Sequence, residues 1–117
     1  GNTTATRFVG TSTDGQLNVT AVTGQIEIDG DIDVERLFLT ANTNIRDVDD
    51  NANSIRVDEN TTLVATNGLI EMDDTDNDFG TDGDPINDHV TITAGGDVSI
   101  QDNNTIYIDG TTITGVG

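Results

Sequence analysis

A chain of 117 residues with 22 acids, four arginines and no lysine carries a formal net charge of -18 at pH 7. Such a surface repels phosphate and anionic lipid, which argues against nucleic acid and polybasic membrane docking, and it attracts divalent cations and hydrated salt. The length fits one domain or a slice of a longer repeat array, the absence of cysteine removes disulfides and thiolate metal sites, and no apolar run approaches the roughly 20 residues of a bilayer-spanning helix.

Eighteen of the acids are Asp and only four are Glu. Asp is a poor helix former and a good turn former, so the bias points to strands and loops. Low hydrophobicity with high net charge is also a signature of disorder. Regularly placed β-branched residues and a single proline, Pro85, argue for a fold instead. The start at Gly1 rather than Met reads as a processed or excised piece of an exported protein.

In chain order, residues 1–16 are rich in Gly, Thr and Asn around Arg7-Phe8-Val9, a partial unit. From Leu17 each unit holds three strand-like pieces with period-2 alternation. The first has Leu17/Val19, Ile26/Ile28 and Ile32/Val34; the second has Leu37/Leu39, Ile45/Val48 and Ile55/Val57. The third has Leu63/Ala65 and Leu69/Ile70/Met72, then a long acidic insert from Asp73 to Asp88. The fourth has Val90/Ile92/Ala94, Val98/Ile100 and Ile106/Ile108, and a fifth opens at Ile113.

Starts near Leu17, Leu37, Leu63, Val90 and Ile113 give steps of 20, 26, 27 and 23 residues. Periods of this size with three short strands each predict a right-handed parallel β-helix, an all-β solenoid of about five coils forming a single module over 1–117. No segment shows the i, i+3, i+4, i+7 apolar spacing of a helix. The competing architecture is a β-sandwich, which also has short strands at regular spacing. The recurrence of a phrase, Thr-Ala plus a Gly corner, favours the solenoid. Residues expected to point inward are Val19, Ile26, Ile28, Leu39, Ile55, Val57, Leu63, Ile92, Val98, Ile100, Ile106 and Ile108, with Asn at coil corners laddering along the axis.

The stretches Leu17–Ile28, Leu37–Val48 and Val90–Ile108 resemble the coil repeats of filamentous-haemagglutinin-like adhesins. They are also similar to the repeats of giant Thr/Asp/Asn-rich bacterial surface proteins. The resemblance implies a parallel β-helix serving as an extracellular stalk or fibre at the cell surface.

A short solenoid exposes unpaired strand edges at both ends, and these template further pairing. Joining Gly117 to a following Gly1 would complete a coil of 21 residues, so self-association into a head-to-tail array or polymer is expected. The candidate metal site is the acidic insert, where Asp74, Asp76, Asp78, Asp82 and Asp84 offer oxygens suited to Ca²⁺. Counted from Asp74, Phe79 and Pro85 occupy the places where an EF-hand needs Gly and Glu, so that motif does not match. Asp29, Asp31 and Asp33 predict an outward acidic stripe, and Asp47, Asp49 and Asp50 another; such a face also suits a saline habitat. Of four glycosylation sequons, Asn60 and Asn103 lie in turns and are the better candidates, while Asn18 should point outward. His89 is the only histidine, no nucleophile–base set can be assembled, and no catalytic residue is assigned. The sequence thus predicts a non-enzymatic structural module of an extracellular fibre, stalk or adhesin. The alternative is a calcium-dependent module binding glycans or a cell surface.

Overall fold

Alternation of apolar and polar residues over two to seven positions suits strands with one buried face, and the described residues contain fourteen such strands. The structure, a computed structural model, describes residues 3–5, 8–9, 15–47, 54–81, 88–103 and 105–113. Three sheets result. The first holds β1 (Thr3–Ala5), β4 (Ile26–Ile28), β7 (Ile45–Asp47), β10 (Ile70–Met72) and β13 (Val98–Ile100), in that spatial order. The second holds β2 (Phe8–Val9), β5 (Ile32–Val34), β8 (Ile55–Val57) and β11 (Asp78–Phe79). The third holds β3 (Gln16–Ala21), β6 (Arg36–Ala41), β9 (Thr61–Ala65), β12 (His89–Ala94) and β14 (Tyr107–Ile113).

Every pairing is parallel, and all but β12–β14 join strands three apart in the chain. The chain therefore visits the three sheets in turn and returns one strand further along the axis. This is a parallel β-helix with three strands per winding. Parallel pairing throughout excludes the β-sandwich, whose sheets are antiparallel.

Register stacks like on like inside the coil. In the third sheet Leu17, Leu37, Thr61 and Val90 share one inward column, and Val19, Leu39, Leu63 and Ile92 share the next. Ala21, Ala41, Ala65 and Ala94 form a third column, each at the strand end where the chain turns into the first sheet. Ile26, Ile45, Ile70 and Val98 align in the first sheet, and Val34, Val57 and Phe79 in the second. The middle windings bury these side chains almost completely, each worth about 1.5–3 kcal/mol for the larger ones.

Of the expected inward set, Ile26, Ile28, Leu39, Ile55, Val57, Leu63 and Ile92 are buried. Val19, Val98, Ile100 and Ile106 are only partly buried, and Ile108 is 47% exposed although it is level with buried Val90. These belong to the first and last described windings, where a neighbour stacks on one side only.

The structure corrects four expectations. Leu37 pairs with Thr61, not Leu63, so the third winding of this sheet starts two residues earlier than its apolar residues suggest. Ile113 pairs with Ala94 and ends a strand; the fifth winding of this sheet starts at Tyr107–Ile108, eighteen residues after Val90, with a register shift beyond Val90. Ile106 and Ile108 are therefore not the second-sheet piece of the fourth unit. Asp47, expected on an outward stripe, turns inward in register with Ile28 and is 1% exposed; Val48, Asp49 and Asp50 lie outside the described residues. The acidic insert is not all loop, because Asp78–Phe79 supplies the second-sheet strand of its winding and Phe79 is fully buried.

Gly80, directly after β11, has φ +75°, a conformation that other residues adopt only with strain. A Cβ there would also stand 2.6 Å from Asp88 Cβ, so the chain leaving after Thr81 and returning at Asp88 meets at a point with no room for a side chain.

Thr61 tests the register. It is 1% exposed in an otherwise aliphatic column, and its Oγ1 has no hydrogen-bond partner. Thr61→Val replaces that hydroxyl with a methyl of the same branching, and should raise stability by about 1 kcal/mol. Denaturant unfolding would measure it; a loss of stability would place Thr61 outside the apolar column.

Candidate functional site

Among the described residues, corners carry most of the Asp and Asn, and several of these side chains join windings together. Corner N–H groups cannot all meet a strand carbonyl, and an Asx oxygen is a short-reach substitute. Asp31 Oδ1 accepts from Ser54 N at 2.9 Å, and Asn44 Oδ1 accepts from Leu69 N at 3.0 Å. Asn60 Oδ1 accepts from His89 N at 2.9 Å, and Asp102 Oδ2 accepts from Phe79 N at 2.7 Å. Buried Asn77 accepts from Ile55 N at 3.0 Å and donates through Nδ2 to Met72 O at 3.1 Å, so a polar residue sits satisfied beside the core. Amide ladders run along the axis as expected, from Asn67 Nδ2 to Asn42 Oδ1 at 2.9 Å and from Asn44 Nδ2 to Gln25 Oε1 at 3.1 Å. Gly68 is required at the same corner, since a Cβ would lie 2.5 Å from Thr43 C.

Three of the five candidate calcium ligands fall within the described residues. Asp74 is 1% exposed and accepts from Asp76 N through Oδ1 at 2.9 Å, a local turn that uses one carboxylate oxygen. Its Oδ2 is buried with no hydrogen-bond partner. Asp76 is exposed. Asp78 lies on β11, in register with Arg56. Asp82 and Asp84 fall outside the described residues. Among the described residues no group of three or more His, Asp or Glu side chains is gathered to hold a metal ion.

What sequence reasoning missed is the placing of the arginines. Arg36, Arg46 and Arg56 are ten residues apart, and the solenoid puts one on each sheet, with Arg46 and Arg56 each between acids of neighbouring windings. In the first sheet Glu27, Arg46 and Glu71 are in register, with Arg46 Nη2 3.5 Å from Glu71 Oε1. In the second, Asp33, Arg56 and Asp78 are in register, and Arg56 Nη1 lies 3.2 Å from Asp33 and 3.1 Å from Asp58. Arg36 opens β6 and pairs with Glu59 at 2.5 Å. Strands stacked about 4.8 Å apart would otherwise hold like charges against each other. The even spacing of the arginines was the available signal.

Carboxylates also crowd one another close to these arginines. Partial desolvation, then the charges of Glu59 and Asp58 and a hydrogen bond with Glu59, raise the pKa of Glu35, with Arg36 opposing. Asp78 is raised by desolvation and by Asp102, against Arg56. Asp29 and Asp31 are exposed and Asp33 faces outward, as the acidic stripe predicts.

The two glycosylation candidates differ. Asn103 is exposed in a turn and donates its N–H to Asn77 O at 2.7 Å. Asn60 is half-buried with its amide oxygen engaged by the next winding. Asn18 is exposed on the third sheet. His89 is half-buried at the start of β12.

Two measurements check the charge arrangement. Arg56→Gln should lower stability by about 0.5–1 kcal/mol at low salt, and the deficit should shrink in 1 M NaCl as screening replaces the guanidinium. Carboxyl groups with raised folded-state pKa contribute stability that is present below the unfolded value and is lost as pH rises through the folded one. Glu35→Gln should therefore flatten the fall in melting temperature on raising the pH from just below 4.5, the ordinary Glu35 value, to neutrality.

No protein-family model, curated protein or solved structure matches this chain.

Proposed function

We propose that this chain is a non-enzymatic structural module of an extracellular fibre, stalk or adhesin at the cell surface, stacked end to end with identical units. The observation carrying the reading is the contrast between windings. Leu37, Leu39, Ile45 and Ile70 in the middle are at most 1% exposed, whereas Leu17 and Val19 at one end and Val98, Ile100 and Ile108 at the other remain partly or largely open. Further windings placed on β3 or β14 would cover these columns and pair the edges of the outermost strands. The likeness of the repeats to filamentous-haemagglutinin-like adhesins and giant bacterial surface proteins supports the same role. The acidic outer surface supports it too, since like charge keeps neighbouring rods apart laterally.

A second reading, a calcium-dependent glycan- or surface-binding module, rests on Asp74, whose buried Oδ2 lacks a hydrogen-bond partner. Chelation separates the two. A fibre held by backbone pairing keeps its melting temperature in EDTA and shows end-to-end rods by electron microscopy at high protein concentration and salt. Isolated single modules under those conditions would overturn the fibre reading, and a melting temperature that falls in EDTA and recovers with Ca²⁺ would favour the second.

A further inference from the structure

The outward side of the third sheet differs from the rest of the surface. Over β3, β6, β9 and β12 its two central columns, Asn18/Phe38/Thr62/Thr91 and Thr20/Thr40/Val64/Thr93, contain no ionisable residue. The corresponding positions of the other two sheets hold Glu27, Arg46, Glu71, Asp33, Arg56 and Asp78. In a chain with a net charge of -18, one strand face kept free of carboxylates can approach another surface without stripping water from ions.

We propose that this face binds a neutral polysaccharide laid along the solenoid axis, a role beyond the stalk reading and independent of whether modules assemble. Charge selects the ligand. A polyanion is repelled by the body of the molecule, and a polycation is drawn to the acidic corners and the other two sheets. Size selects it too. Four strands about 4.8 Å apart, with two outward residues each, give a strip on the order of 300 Å², well below the roughly 800 Å² per partner of a stable protein interface. That is too small for a second folded chain but long enough for several sugar rings in a row. Chemistry completes the argument. Thr20, Thr40 and Thr93 expose hydroxyls that donate and accept. Half-buried Val64 lies between Thr40 and Thr93, half-buried Phe38 lies in the adjacent column on the strand of Thr40, and both offer an apolar surface for the C–H face of a sugar ring.

The test is co-sedimentation of the whole chain, in EDTA, with insoluble cellulose, chitin and β-1,3-glucan, and with covalently cross-linked alginate beads, which EDTA does not dissolve, as the anionic probe. Retention by at least one neutral polymer and not by alginate is expected, with affinity reduced tenfold or more by Thr40→Glu and by Phe38→Ala. Thr40 is exposed, so Thr40→Glu should leave the melting temperature in place, whereas a Phe38→Ala chain that fails to fold is replaced by Thr93→Glu. Asp31→Asn, on another face, should bind as the parent does. The proposal is overturned by no retention on any neutral polymer, by retention that Thr40→Glu and Thr93→Glu leave unchanged, or by alginate binding as tight as neutral binding. It is equally overturned by a concentration-dependent dimer that Thr40→Glu abolishes, which would give the face to a second copy. Because no outcome depends on rods forming, its failure is distinct from failure of the fibre reading.

Discussion

Axial register between consecutive windings is the constraint on which the molecule depends. Parallel backbone pairing fixes each residue above its counterpart, so one shift of a strand would turn a whole inward column outward. The pairing does not stop at the strand ends. At the corner between the third and first sheets, Asn42 N donates to Ala21 O at 3.0 Å, Thr66 N to Ala41 O at 3.0 Å and Gly95 N to Ala65 O at 2.9 Å. Corners are thus part of the ladder. Where windings differ in length, Asx side chains supply the acceptors that the backbone does not.

This explains how steps between windings can be so uneven while the core stays continuous. Level positions of the third sheet are separated by 20, 24, 29 and 18 residues. The longest step contains residues 82–87, flanked by Thr81 and Asp88. Gly80 N and Thr81 N both donate to Val57 O, at 2.7 and 3.1 Å, before the extra residues begin. Asn60 Oδ1 takes up His89 N directly after they end. The register is thus closed on both sides of residues 82–87.

The architecture was legible because repetition and alternation are both periodic signals, and aliphatic columns such as Val19/Leu39 and Ile26/Ile45 obey both. Thr61 and Asp47 were not legible, since a polar residue in an alternating strand reads as outward and only the neighbours' register contradicts it. The strand Asp78–Phe79 was hidden for a related reason: two residues inside a run of acids have no alternation to read, and Phe79 was the sole apolar mark. The start of the fifth winding is not legible from apolar residues alone, because Tyr107 and Ile108 follow a corner with no strand between β13 and β14 among the described residues. The candidate metal residues are close in sequence, and among the described ones Asp74 closes a turn while Asp78 belongs to a strand.

Charge and structure are coupled here more closely than composition suggests. Asp31, Asn44, Asn60, Asn77 and Asp102 act as hydrogen-bond acceptors between windings, and for that purpose Asp and Asn are interchangeable except in charge. Choosing Asp adds net charge at each corner, which would repel its axial neighbours at a separation of one winding. Arginine appears where that repulsion is concentrated on strand faces, at Arg46 and Arg56, with acids on both sides in register. Two faces therefore solve the problem by alternating sign, and the third by excluding charge from its central columns. A large negative charge is in this way compatible with windings only about 4.8 Å apart, because on the described strands acids alternate with arginine or are kept off the central columns, and like-charge contacts such as Glu35 with Glu59 fall at a corner.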